Sequence, residues 1–350
     1  MTELVVKNRT PFFHTQLHLA DEEGTSIFVA LVRATYRIDP TGKLSLHEEQ
    51  QPSKPAGEYF GDPETSGYRF EPETAFMKPA TDVVLIGHAH APNAGAQVLD
   101  VGVKVGPVQK VLRVFGDRHW VKTGGNVFAT APQPFQRMPL TYERAFGGWD
   151  RANKDKGTWR CDARNPVGRG FGDPLRFVEE GKVPMPNIED PNKLIKRYGD
   201  QPPPAGFGFV SPHWQPRAQY AGTYDEAWDR QRKPLLPKDF DRRFFNAASP
   251  GLVAPGYLRG DEDVVVVNAT AATPLKFRLP AVPSPLCSVN LRYGDAQTLQ
   301  TNLDTVIIDT DGMLLFLLWR AYMPNPRGAH NVASIEVDVE RGAARAARAS

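Results

Sequence analysis

Proline and glycine punctuate this chain so often that long helices have little room to form. Thirty glycines and thirty-two prolines in 350 residues exceed the roughly 7% and 5% ordinary for these residue types. They follow no three-residue period, which excludes a collagen-like chain. Spread as they are, they cut the sequence into short elements joined by turns. The runs between them are rich in β-branched residues. Thr25 to Ile38 is apolar and β-branched apart from Arg33 and Arg37, and Leu4 to Val6 precedes it as a shorter candidate. Val83 to Ala89, Val98 to Lys104, Gln109 to Phe115 and Arg118 to Val121 continue the series. In Val101-Gly102-Val103-Lys104-Val105 the valines alternate with Gly and Lys, as in a half-buried strand.

The last third repeats this character. Asp263 to Asn268, Pro274 to Leu279, Ser288 to Tyr293, Asp304 to Asp309 and Ser334 to Val339 read as strands. Met313 to Trp319 is continuously apolar, either a strand buried on both faces or a buried helical segment. It is far shorter than the roughly 20 residues a membrane helix needs. The expected fold is therefore mainly β, with antiparallel sheets arranged as a sandwich or barrel.

Between Pro132 and Pro255 periodicity disappears while aromatic residues remain. Four of the six tryptophans fall here, Trp149, Trp159, Trp214 and Trp228. A floppy linker would expose too much apolar surface, so the region is expected to be ordered, irregular and pinned onto the sheets. Thr223 to Arg232 fits one short helix, with Thr223 as N-cap and Glu226 at the capping-box position. The predicted organisation is a β region over 1–135, an irregular region over 136–260, a second β region over 261–340 and a basic, flexible tail over 341–350. Together these read as one compact unit.

Composition excludes several classes of function. The 42 basic and 40 acidic residues nearly cancel, so no global field draws nucleic acid or an acidic membrane. Lys193 to Arg243 carries ten basic and six acidic residues, a modest excess. Cys161 and Cys287 are the only cysteines, too few for a disulfide scaffold or a four-cysteine zinc site. Residues Met1 to Arg9 lack the uninterrupted apolar core of a signal peptide, and a cytoplasmic location without membrane insertion is expected.

Catalytic motifs are weak throughout. Gly168-Arg169-Gly170-Phe171-Gly172 has neither the spacing nor the following helix of a dinucleotide fingerprint, because Asp173-Pro174 comes next. Glycines admitting positive φ or close approach explain it more simply. No phosphate loop and no Gly-x-Ser-x-Gly is present. His88 and His90 share one face of a predicted strand, which permits two metal ligands or a hydrogen-bonded pair. Asp225, Asp229, Asp239 and Asp241 lie among Arg217, Arg230, Arg232, Arg242 and Arg243, so interleaved ion pairs are simpler than paired catalytic carboxylates. Neither a metal nor any other cofactor is expected.

A set of motifs carries a family resemblance. It includes Asn8-Arg9-Thr10-Pro11-Phe12, Lys78-Pro79-Ala80-Thr81-Asp82-Val83, Gly116-Asp117-Arg118-His119-Trp120 and Tyr142-Glu143-Arg144-Ala145-Phe146-Gly147-Gly148. Asn165-Pro166-Val167-Gly168-Arg169-Gly170-Phe171, Pro204-Ala205-Gly206-Phe207-Gly208, Trp214-Gln215-Pro216-Arg217 and Gly222-Thr223-Tyr224-Asp225-Glu226-Ala227-Trp228 follow. Pro237-Lys238-Asp239-Phe240-Asp241 and Leu318-Trp319-Arg320 close the set. In order and spacing these resemble the DUF2169 family over roughly residues 4 to 325. The resemblance implies a cytoplasmic, non-enzymatic adaptor or chaperone beside type VI secretion genes of Gram-negative bacteria. Its implied partner is an effector carrying a PAAR or PAAR-like spike-tip domain, or the spike protein itself. No catalytic residue comes with the resemblance.

For an adaptor, exposed aromatic and charged groups of the irregular region are the expected contacts: Trp149, Asp150, Arg217, Tyr224, Asp225 and Trp228. Gly147, Gly148, Asn165, Gly168, Gly170 and Gly222 are expected to shape the loops that carry them. Two other classes compete. One is a hydrolase-like enzyme using Asp and His of the middle region, and the other a carbohydrate-binding β protein. An enzyme predicts a concave pocket with convergent Asp, Arg or His groups, an adaptor a flatter patch or open groove.

Overall fold

A computed structural model of the chain describes residues 4–93, 95–151, 153–172, 182–271 and 273–339. The expected tail over 341–350 and the Asp173-Pro174 pair lie outside these residues. The centre is a six-stranded sheet in the order Phe13–Ala20, Ser26–Ile38, Leu314–Pro324, Asn302–Asp309, Asp82–Ile86, with Leu44–Leu46 pairing against Ser26–Ile38. The β-branched run after Gly24 thus becomes its longest strand, buried at almost every position. The apolar run near 313 resolves as strand Leu314–Pro324, whose partners on both sides explain its unbroken hydrophobicity.

A second sheet runs Ile188–Glu189, Val108–Phe115, Val98–Val105, Asp263–Val267, Leu275–Arg278. Here the alternation holds: Val101, Val103 and Val105 are buried, while Lys104 faces solvent. A third sheet orders Val5–Asn8, Val332–Asp338, Leu286–Leu291 and Gln297–Gln300. Most pairings are antiparallel, as expected, but Asp82–Ile86 runs parallel to Asn302–Asp309 and Val5–Asn8 parallel to Val332–Asp338. Among the described residues no sheet closes into a barrel.

One hydrophobic cluster takes in Val83 and Leu85 from the first region, Phe207 and Trp214 from the middle and Trp319 and Val337 from the last. The middle region is stitched to the edge strand Asp82–Ile86 by backbone hydrogen bonds. Val83 N–H donates to Leu252 O (2.9 Å), Leu85 N–H to Phe207 O (3.3 Å), and Ala254 N–H to Thr81 O (2.9 Å). An edge that would otherwise expose unpaired backbone is thereby covered. Among the described residues the one α-helix is Glu226–Gln231, and no helix is long and apolar enough to cross a membrane.

His14, on the outer strand of the central sheet, places Nε2 in a buried position without a hydrogen-bond partner among the described residues. Burial lowers its pKa from 6.5 to about 4. The folded state therefore resists a proton that the unfolded chain accepts near pH 6.5. This contribution to stability is complete above pH 6.5 and is lost progressively as pH falls towards 4. Replacing His14 by Leu is expected to remove about 2–3 kcal/mol of that acid sensitivity. Urea unfolding at pH 7, 5.5 and 4 checks it, and equal pH dependence in both proteins would refute it.

Candidate functional site

Several of the motif stretches meet inside the protein, at a buried cluster of charges beside the central sheet. Arg33 comes from strand Ser26–Ile38, Arg320 from Leu314–Pro324 and Asp304 from Asn302–Asp309. Glu71, Glu73 and Lys78 lie on the segment leading into Asp82. These six side chains and Asp82 are almost wholly buried, and Arg217, which joins them from the middle region, has a side chain 10% exposed. Lys78 Nζ bridges Glu71 and Asp82, the latter at 2.8 Å. Arg320 Nε donates to Asp304 at 2.6 Å, Arg33 pairs with Glu73, and Arg217 Nη1 lies 3.1 Å from Glu71. Asp82 also accepts from Asn246 Nδ2 (2.9 Å) and Ala247 N–H (2.9 Å).

Four cations thus face four carboxylates, and this neutrality makes the burial tolerable. Desolvation by itself would pull the Lys78 amine down, but Asp82, Glu71 and Asp304 together hold it above the usual lysine range. The Arg33 guanidinium lies 4.6 Å from the centre of the Phe316 ring, adding a cation–π contact. A cleft of about 270 Å³ opens beside the cluster, with Lys78, Asp304, Arg320, Tyr257 and Tyr322 in its wall. The charged groups there are already engaged in ion pairs, so the arrangement braces the fold and links the middle region to the sheet. Sequence reasoning passed over this cluster. Its signal was Arg33 interrupting an apolar run, and Lys78 with Asp82 four residues apart within one motif.

A second convergence joins the two glycine motifs. Asn165 is fully buried and donates Nδ2 hydrogens to Tyr142 O (2.8 Å) and Phe146 O (3.0 Å), while its backbone carbonyl accepts from Gly148 N–H (2.8 Å). Phe146–Gly147 pairs parallel with Arg169–Gly170. Gly148 has φ +98°, and a Cβ there would meet Gly168 O at 2.4 Å. Gly147, Gly148, Asn165, Gly168 and Gly170 therefore form one knot, whereas Gly222 stands apart beside Pro237 and Asp239.

The expected contact residues divide into exposed and inward sets. Trp149 is 39% exposed, and Arg151 sits 5.1 Å from its ring and 5.1 Å from that of Trp159. Tyr224 is 53% exposed and meets Trp228 edge-on at 4.7 Å. Trp228 is half-buried, with Nε1 donating to Leu235 O at 2.8 Å. Asp150 is buried and lies 3.4 Å from Arg160. The Arg217 guanidinium is turned inward: besides Glu71, it donates to Phe244 O (2.8 Å) and Val210 O (2.8 Å).

The helix begins differently from expectation. Asp225, not Thr223, is its N-cap, and its Oδ1 accepts from Trp228 N–H at 2.8 Å. Thr223 is already engaged, donating its hydroxyl to Asp239 at 2.7 Å, and Glu226 pairs with Arg230 instead of closing a capping box. The four aspartates of this region do not converge. Asp225 caps the helix, Asp229 pairs with Lys233, Asp241 with Arg243, and Asp239 holds Thr223. His88 and His90 do share a strand face, but His88 Nδ1 is 2.7 Å from Asp311 and 3.1 Å from Arg137. Among the described residues no group of three or more His, Cys, Asp or Glu is placed to hold a metal ion. Cys161 and Cys287 are free thiols, and burial pushes the latter up to about 12.

With this geometry in view, the chain matches the DUF2169 family, described as an uncharacterized protein conserved in bacteria, over residues 23–320. The chain belongs to that family. No curated protein and no solved structure matches it.

Proposed function

We propose that this protein is a cytoplasmic, non-catalytic adaptor that binds a type VI secretion effector carrying a PAAR or PAAR-like domain and assists its loading onto the spike. The observation that carries this reading is the union of two features. A charge-braced core holds the irregular region in one shape, and Trp149 and Tyr224 stand exposed on that region. A partner surface held rigid in advance loses little conformational freedom on binding. Exposed tryptophan and tyrosine beside arginine are the residue types that dominate binding hot spots.

Affinity capture of the tagged protein from its native cells, followed by peptide identification, tests the proposal. The expected result is one dominant effector or PAAR-like carrier. Trp149→Ala and Tyr224→Ala are each expected to weaken its binding by about 2 kcal/mol, roughly thirtyfold. Trp228→Ala is expected to act in the same direction. Thermal unfolding of the Trp149 and Tyr224 variants should match the native protein. Recovery of no such client, or undiminished recovery by all three variants, would count against the reading.

A further inference from the structure

The second sheet is incomplete along one side. Strand Val108–Phe115 pairs along its whole length with Val98–Val105, yet on its other side Ile188–Glu189 covers only Arg113 and Val114. Phe115 turns its N–H away from Val98–Val105, towards Asn187 O at 2.7 Å. Backbone groups alternate sides along an antiparallel strand. Gln109 and Val111 therefore aim their N–H and C=O groups at the uncovered side, where no backbone partner is found among the described residues.

An open cleft of about 580 Å³ runs along this edge, bounded across from it by Asp190, Pro191, Asn192 and Pro250. Its outer floor is apolar. Val111, Gly102 and Val267 lie side by side across three strands, with Val111 48% and Val267 37% exposed. A Cβ at Gly102 would only reach ordinary contact with Val111, at 3.7 Å, so the glycine leaves a notch between the two valines. The neighbouring row on the same face carries one charge, Lys104, which stands beside Gln109 on one side and Val265 on the other.

Lys104, on the notch face, and Lys110, on the opposite face, line the cleft against a single carboxylate, Asp190, whose Oδ1 already accepts from both the backbone and side chain of Asn192. Lys110 Nζ donates to Ser249 Oγ (2.7 Å) and Pro250 O (2.9 Å). Both acceptors are neutral, so one of its three donors stays available. Burial pulls this amine down to about 8, which an incoming carboxylate would reverse.

We propose that the free edge at Gln109 and Val111 receives an extended segment of the partner protein as an added strand: on one face an apolar side chain lies over the Val111–Gly102–Val267 notch and the next one along, a carboxylate, points towards Lys104, while carboxylates between them point to the other face, towards Lys110. This deepens the adaptor reading and rests on it. Main-chain hydrogen bonds supply the general affinity in such strand addition, and alternate side chains supply selectivity.

The test uses three fluorescein-labelled ten-residue peptides and the intact protein, read by fluorescence anisotropy at low salt. One peptide repeats Val-Glu-Glu-Glu, so that Val and Glu alternate along one face of the strand and Glu fills the other, one repeats Val-Lys-Lys-Lys, and one is the Val/Glu peptide N-methylated at alternate residues. The Val/Glu peptide is expected to bind saturably, and the other two at least tenfold more weakly. Gln109→Pro removes an edge N–H while sparing the ladder to Val98–Val105, and is expected to weaken Val/Glu binding at least tenfold. Lys104→Glu, an exposed change that leaves the edge intact, should do the same and controls for any folding defect of the proline variant. No binding of the Val/Glu peptide, equal binding of all three, or indifference to both substitutions overturns the proposal.

Client capture with the two variants separates this inference from the adaptor reading. A client retained fully by both places docking elsewhere and leaves the adaptor reading standing. Absence of any client with the native protein removes the adaptor reading itself.

Discussion

Replacing Lys78 by methionine is expected to lower the unfolding free energy by about 3–5 kcal/mol, the range for removing one member of a buried ion pair. The ammonium lies between Glu71 and Asp82, and all three side chains are nearly inaccessible. Methionine fills similar volume, so the loss reports uncompensated charge and not a cavity. The damage is bounded because Arg217 still faces Glu71, and Asp82 still accepts from Asn246 and Ala247. Urea unfolding near pH 7 measures the change. Adding Asp82→Asn should make the double variant less destabilised than the sum of the two single changes, since the second removes a charge that the first leaves unpaired. A loss below about 1 kcal/mol for Lys78→Met would mean that water reaches this cluster and screens it as at a surface.

The same cluster marks where reading the chain stops short. Strands with one wet face were legible, because alternation such as Val101, Val103 and Val105 against Lys104 follows directly from a two-residue period. Turns were legible where side-chain chemistry announces them. Asp39 accepts from the N–H groups of Thr41 and Lys43 at 2.8 and 2.9 Å, closing the turn after the long strand. The knot around Asn165 was legible in kind, since its glycines imply close backbone approach, but not in partner.

What periodicity cannot supply is pairing between distant segments. Asp82–Ile86 finds Asn302–Asp309 from the other end of the chain, and only that parallel pairing brings the Lys78–Asp82 motif beside Asp304 and Arg320. Arg33 looked like a break in a hydrophobic run. Its meaning depends on Glu73, which no local pattern predicts. The helix start failed for a related reason: Thr223 and Asp225 are both competent caps, and Asp239, remote in sequence, claims the threonine.

Arg217 gives the second large effect, because its guanidinium is turned inward onto Glu71 and two backbone carbonyls. Arg217→Ala should cost about 3 kcal/mol, since it strips two part-buried carbonyls and the buried Glu71 of one shared donor. It also removes a guanidinium 5.2 Å from the Phe244 ring. Arg217→Lys should recover only part of the loss, because an ammonium cannot reproduce the planar fork that spans Val210 O, Phe244 O and Glu71. Both variants should recover less client, in proportion to their instability, and lowering the temperature should restore much of it. Trp149→Ala behaves oppositely, losing client at every temperature with unfolding unchanged. Thermal unfolding and client capture on the same samples separate the two cases. If Arg217→Ala melts with the native protein yet fails to retain client, its guanidinium faces the partner, and Glu71 must then be satisfied by Lys78 alone.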